Sequence, residues 1–292
     1  MPIARRPDRW ILAWLAQTAT RMTGGIADPS GPTVTSQVTI PTRYGQMSAL
    51  IYDSPERDRG RTRPLHIQIH GGGLIGRGIR EDEHVCRFHA AETGCTVLSL
   101  HYHAAPQVTF PVAEHECFDA LRWALDSADV HGWDGRITVG GGSTGAKLAV
   151  NVAQQAYDHG IPLVGVVLSS PLLDLTHNDR ETDREKPRWG PRLLEFIADT
   201  YVPDTLTRFQ PLASPSFDLA LVKKLPPALI QVGSEDWLAG DGDDLAARLV
   251  RAHKPHTLTH YPAGHHLTVR GEADVRAEAL AEQSRFITGL YR

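Results

Sequence analysis

The sequence predicts an α/β fold, a mostly parallel eight-stranded sheet with helices on both faces. Three observations carry that reading. Short runs of strand formers alternate with stretches of ten or more residues that have helical periodicity, the pattern of strands joined by helical crossovers. Residues 136–139, one such run, pass through Gly140-Gly141-Gly142-Ser143-Thr144-Gly145 into a stretch where Ala146, Ala149, Val150 and Ala153 recur at helical spacing, as do Leu148 and Val152. The 292 residues are 41% hydrophobic, enough for a real core, and a single domain over 1–292 is expected.

Taken in order, residues 1–30 open with a short amphipathic helix, because Trp10 with Trp14 and Ile11 with Leu15 recur at i, i+4. Arg5, Arg6 and Arg9 precede this apolar run as in a signal peptide. The run is too short, however, and has no small-residue cleavage site. A membrane-surface helix also fits arginines beside tryptophans; packing against the rest of the chain is the expectation for a helix this short. Pro29-Ser30-Gly31-Pro32 marks a linker. Strand-like segments at 34–40 and 47–52 then predict an opening antiparallel pair. Further strands are predicted at 65–69, 96–100, 136–139, 163–168, 228–232 and 257–261. Ala113, Cys117, Ala120, Leu121 and Ala124 define one helix face. A helix is predicted near 243–252, and Val275, Ala279, Phe286 and Leu290 mark a C-terminal one. Residues 176–209 break the rhythm: they are charged and proline-punctuated, with a helix candidate at 193–201. An excursion between two sheet strands predicts a lid or cap.

Composition narrows the function classes. Thirty basic against 34 acidic residues leave a net charge of −4, which gives no electrostatic case for nucleic acid. No apolar stretch approaches the length of a membrane span, so a soluble cytoplasmic protein without stable membrane association is expected. Cys86, Cys95 and Cys117 are odd in number and read as buried free thiols of a reducing compartment. His101-x-His103, and His84 near Glu81, Asp82 and Glu83, are the nearest approach to a metal set. HExxH and paired-cysteine spacings are missing, so neither a metal nor a cofactor is expected.

The glycine-flanked serine is where chemistry is expected. A strand, a tight turn carrying one serine and a helix make a nucleophile elbow. Glycines are needed at 141 and 145, because the serine backbone is strained and side chains there would crowd the helix. The helix N-terminus then favours negative charge beside the hydroxyl. Alone, the motif also fits a flexible loop with an incidental serine, so partners must be found. A nucleophilic Ser143 needs a base, an acid to orient it and oxyanion donors. Glu235 and Asp236 lie in the loop after strand 228–232, and His265 and His266 in the loop after the last strand. Gly264 in front of His265 favours that residue as base. Counting from Tyr261, and the apolar Leu267 that follows, favour His266, and the preference falls narrowly on His266. His70-Gly71-Gly72-Gly73 supplies backbone N–H groups that can approach an oxygen closely. Gly72, Gly73 and the amide of Thr144 are the expected oxyanion donors, with His70 and Gly71 supporting their loop.

The pairing of His70-Gly71-Gly72-Gly73 with Gly141-Gly142-Ser143-Thr144-Gly145 resembles the hormone-sensitive-lipase-like family of α/β-hydrolases. Tyr102-His103-Ala104-Ala105-Pro106, Phe110-Pro111, Ala120-Leu121-Arg122-Trp123 and residues 169–175, 211–215 and 225–227 fit the same pattern, from about Pro64 onward. The resemblance implies an α/β-hydrolase fold with the acid at Asp236, and a cap built from about residues 1–30 and 176–209. It also implies a serine carboxylesterase acting on small or short-acyl esters, with a homodimer as a reasonable assembly. An amidase, lactonase or deacetylase, or a non-catalytic ligand-binding protein, would use the same frame. The chain departs from the family where Gly142 replaces aspartate, Thr144 replaces alanine, and Ala146 and Lys147 replace glycine and asparagine. His103 and Gln107 likewise replace arginine and glutamate. Lys147, in the first turn of a helix, is expected to meet no anion and to oppose the helix dipole.

Overall fold

The computed structural model describes residues 11–15, 17, 34–54, 62–76, 78 and 80–292. Trp10 and the linker at 29–32 lie outside these residues, and the expected first helix is described only at 11–15 and 17, where Ala13 and Gln17 are buried.

All eight expected strands form one sheet. They are β1 (Val34–Thr42), β2 (Gly45–Asp53), β3 (Arg63–Ile69), β4 (Thr96–His101), β5 (Trp133–Gly142), β6 (Gly165–Ser169), β7 (Ala228–Gly233) and β8 (His256–Tyr261). Their order is β1-β2-β4-β3-β5-β6-β7-β8. The pairs β1–β2 and β2–β4 are antiparallel, and every other neighbouring pair is parallel. The long helices are α1 (Glu83–Glu92), α2 (Val112–Asp126), α3 (Thr144–Asp158), α4 (Gly190–Tyr201), α5 (Gly240–Arg251) and α6 (Ala273–Tyr291). On one face, Ile51, Ile67, Leu98, Val139 and Ile230 pack with Leu121 of α2, Val150 of α3 and Leu249 of α5. On the other, Leu50, Val97, Val167 and Leu229 meet Cys86 and Ala90 of α1 and Ile287 of α6. Burying both faces of a mostly parallel sheet is the arrangement such strands require. Among the described residues no helix is long and apolar enough to cross a membrane.

Alternation in β3 is not the signature of a solvated face here. His66 and Gln68 point away from Leu65, Ile67 and Ile69, yet both are buried under α1 and α6. His66 Nδ1 meets Thr138 Oγ1 at 2.9 Å, and Gln68 Nε2 donates to Asp82 Oδ2 at 2.8 Å. The His89 ring, packed edge-on to His66, meets Gln283 Oε1 at 3.0 Å and Ser284 Oγ at 3.2 Å. Burial pushes His66 down to about 4, and burial with the neighbouring His66 pushes His89 down to about 3. Burial lifts Asp82 to about 6, against the hydrogen bond from Gln68.

Both histidines fall below their unfolded value, so the stability they contribute is complete above about pH 6.5 and is lost as pH falls toward 4 and 3. Asp82 has the opposite sign: its ionised form is disfavoured in the folded chain, so acidification from pH 6 toward 4 restores some stability. Between pH 6.5 and 5 each histidine should cost about 2 kcal/mol. Denaturant melts of wild type and His89→Gln at the two pH values should therefore show a pH penalty about 2 kcal/mol smaller in the variant. An equal penalty in both proteins would contradict the assignment.

Candidate active site

The parallel strands all deliver their following loops to one edge of the sheet, the side on which such folds place ligands. Adjacent β3 and β5 carry the glycine run and Ser143, while adjacent β7 and β8 carry Asp236 and the two histidines. Ser143 stands between β5 and α3 at φ 55°, ψ −121°, a strained conformation for a residue with a side chain. Only glycine fits at 141 and 145, since a Cβ at either would run into the Ile69 carbonyl oxygen. The Ser143 N–H donates to Ser169 O at 2.9 Å, pinning the elbow to β6.

From Ser143 Oγ a hydrogen bond of 2.8 Å runs to His265 Nε2, and another of 2.8 Å from His265 Nδ1 to Asp236 Oδ2. Asp236 is buried, and its Oδ1 accepts the Leu238 N–H at 2.9 Å, which fixes the carboxylate plane. This corrects the narrow preference for His266. The Ser234 N–H donates to Tyr261 O at 2.7 Å, and the Glu235 N–H to Ala263 O at 3.0 Å. These bonds stitch the acid loop to the histidine loop and turn His265 toward Asp236. His266 instead opens the short helix Leu267–Arg270; its carbonyl accepts the Val269 and Gly271 N–H groups, and its side chain is exposed. Glu235 is exposed and is not part of the relay.

The glycine run lies against Gly142 and Ser143. Gly72 and Gly73 take φ 100° and 66°, open to glycine at little cost. His70 stacks on Tyr102 with ring centroids 4.4 Å apart, and its Nδ1 lies 2.9 Å from Gly71 O. Tyr102 Oη donates to His70 O at 3.1 Å and Gly71 O at 3.2 Å, so His70 and Gly71 hold the loop. Thr144 begins α3, where its N–H has no intrahelical acceptor by position. The Gly73 N–H is already engaged, donating to Thr144 Oγ1 at 3.1 Å.

A cavity of about 500 Å³ opens above Ser143, Gly72, Gly73 and His265. Ile75, Leu172, Trp237 and Leu238 form part of its apolar wall, and Leu193, Leu194, Phe196 and Ile197 of α4 form another part. Trp189 also borders the cavity, whereas the described Trp14 does not. Ile197 presses so closely on the glycine loop that a Cβ at Gly73 would come 2.8 Å from its Cδ1. The segment before α4 is tied down by charge: Arg180 reaches Asp241 at 3.2 Å and Arg184 reaches Asp243 at 3.3 Å. Burial lifts Asp241 to about 6 despite Arg180 beside it.

Lys147 is the second correction. It is wholly buried, and its Nζ lies 2.6 Å from Glu114 Oε1, 2.8 Å from Asn151 Oδ1 and 3.1 Å from Leu212 O. Burial lowers its pKa, against the pull of Glu114. Tyr201, at the end of α4, donates to the other Glu114 oxygen at 2.5 Å. The anion is present, supplied by α2. His103 and Gln107 are also paired, His103 with Glu116 at 2.7 Å and Gln107 with Gln17 at 3.0 Å. His84 meets Thr268 O at 2.7 Å and His101 meets Ser48 Oγ at 3.3 Å. Among the described residues no group of three His, Cys, Asp or Glu side chains could hold a metal ion.

Comparison with known proteins agrees with this architecture. Residues 66–270 match the family described by the alpha/beta hydrolase fold. An acetyl-hydrolase of Streptomyces hygroscopicus is 34% identical over 218 residues, covering 73% of this chain and 70% of that protein. The carboxylesterase NlhH of Mycobacterium tuberculosis is 30% identical over 237 residues, covering 76% of this chain and 73% of that one. Mouse hormone-sensitive lipase is 34% identical over 117 residues, which is 39% of this chain and 15% of that protein. Among solved structures, an esterase of Pyrobaculum calidifontis superposes with a TM-score of 0.83 at 26% identity, covering 98% of this chain and 95% of that one. With its glycine run, serine elbow and eight-stranded sheet, the chain belongs to the hormone-sensitive-lipase-like family of α/β-hydrolases.

Proposed function

We propose that the chain is a serine carboxylesterase that hydrolyses small or short-acyl esters through a covalent acyl-enzyme. The observation that carries this reading is the unbroken path from Asp236 through His265 to Ser143, at 2.8 Å in each step, beneath an apolar cavity. Ser143 Oγ attacks the ester carbonyl carbon while His265 Nε2 takes its proton, and Asp236 holds Nδ1–H and so fixes the ring tautomer. Charge on the tetrahedral oxygen meets backbone N–H groups at Gly72 and Thr144 and the N-terminus of α3. The imidazolium returns the proton to the departing alcohol oxygen, leaving the acyl group on Ser143. Water, deprotonated by the same histidine, then releases the acid. Helix α4 and the residues before it act as the cap, together with the N-terminal residues.

The apolar wall of the cavity supports a substrate held by its hydrocarbon part, and the preference for short acyl groups is carried by the resemblance to the family. Hydrolysis of p-nitrophenyl esters from acetate to decanoate should be fastest at the short end and fall steeply toward decanoate. A fluorophosphonate probe should label wild type stoichiometrically and leave Ser143→Ala unlabelled and inactive. Retained labelling or turnover in Ser143→Ala would remove that serine from the role. A folded wild type inert to every ester would reject the carboxylesterase reading.

A further inference from the structure

We infer that the Thr144 hydroxyl is a donor to the oxyanion and that the Gly73 N–H serves to orient it. The inference rests on the esterase reading above. Thr144 is wholly buried, follows Ser143 directly and borders the same cavity as Gly72, Gly73 and Ser143. Its Oγ1 accepts the Gly73 N–H at 3.1 Å. A hydroxyl has one hydrogen to donate besides its lone pairs, and among the described residues this hydrogen meets no acceptor. A buried O–H left unspent is costly unless the site supplies an acceptor at some stage of its work. The acceptor that chemistry would bring to this spot is the carbonyl oxygen of an ester bonded to Ser143.

The arrangement differs from a hole made of backbone amides alone. With alanine at 144 the Gly73 N–H could point straight at the substrate oxygen. With threonine it points at Oγ1, and the chain Gly73 N–H, Thr144 O–H, oxyanion forms a relay in which each hydrogen bond polarises the next. Thr144 keeps its proton throughout; it donates a hydrogen bond and forms no covalent bond. The oxyanion then meets the Gly72 N–H, the Thr144 N–H and the Thr144 O–H. The same geometry could instead make Oγ1 a competitor that withholds the Gly73 amide, and the two readings predict opposite signs on removal of the hydroxyl.

The test compares wild type with Thr144→Ser, Thr144→Val and Thr144→Ala on p-nitrophenyl acetate and butyrate, with active sites counted by fluorophosphonate labelling. Loss of one oxyanion donor should lower kcat by roughly 100-fold in Thr144→Val, where a methyl takes the place of Oγ1 in front of the Gly73 N–H, with KM little changed. Thr144→Ala, which frees the Gly73 N–H to reach the oxygen itself, should lose less. Thr144→Ser, which keeps the hydroxyl, should stay within a few-fold of wild type. Affinity for a trifluoromethyl ketone, whose adduct places a negative oxygen in the same hole, should fall in parallel with kcat. Unchanged or faster turnover in Thr144→Val, at full labelling, would overturn the inference and make Oγ1 a competitor. Equal losses in the serine and valine variants would also overturn it, since a packing role alone would account for both. A wild type that neither hydrolyses esters nor reacts with the probe would sink the esterase reading and this inference with it.

Discussion

Alanine at His265 should lower kcat for ester hydrolysis by on the order of 10⁵-fold or more, whereas alanine at His266 should keep kcat within a few-fold of wild type. The argument is one of position. Only His265 has one ring nitrogen at the Ser143 hydroxyl and the other at the Asp236 carboxylate. Without it, no group at the Ser143 hydroxyl takes its proton, and turnover falls to what the oxyanion hole and substrate binding sustain. Asp236→Asn should be milder, roughly 10⁴-fold, because the imidazole remains but its tautomer is no longer enforced. His266 borders the cavity and packs edge-on against His265 with ring centroids 5.3 Å apart. Its removal should therefore appear in KM and in acyl preference more than in kcat. Parallel kinetics on p-nitrophenyl butyrate decide the matter. A collapse of kcat in His266→Ala with near-normal turnover in His265→Ala would reverse the assignment.

How far the sequence reached depended on whether the relevant physics is local. Strand rhythm is local, and all eight strands were readable as short runs of strand formers, although β5 begins at Trp133 and not at the expected Arg136. Glycine requirements are local too: a backbone that must pass within contact of Ile69 O leaves no choice of residue at 141 and 145. Choosing between neighbouring histidines is not local. It was decided by two backbone hydrogen bonds from 234 and 235 to 261 and 263, which no residue pattern announces. Helix α1 escaped for a related reason. Its inward face includes His84 and His89, polar residues that only partners from the C-terminal part of the chain make tolerable inside. The engaged state of the Gly73 amide was equally invisible, because it depends on where the Thr144 side chain points.

Lys147 is the sharpest such case, and its removal from charge balance carries the largest stability prediction. Its carboxylate partner, Glu114, lies 33 residues earlier on another helix, so the first turn of α3 read alone holds an uncompensated cation. In the fold both side chains are fully buried at 2.6 Å. Asn151 and Leu212 O complete the ammonium, while Tyr201 completes the carboxylate. Glu114→Ala leaves an ammonium buried without its counter-ion and a tyrosine hydroxyl without its acceptor. Breaking a buried pair in this way should cost about 3–5 kcal/mol, read from the urea midpoint at unchanged slope. Lys147→Met should destabilise less, since it leaves the Tyr201 hydroxyl its acceptor on Glu114. The double variant Glu114→Leu/Lys147→Met should recover most of the loss, because dehydrating two charges offsets much of what their attraction returns. The pair also ties α4, which walls the cavity, to the helix that carries Ser143. Glu114→Ala should therefore raise KM for esters as α4 loosens, with kcat less affected. If the double variant is as unstable as Glu114→Ala, the network contributes more than mutual neutralisation, and fixing the position of α4 is the contribution that remains.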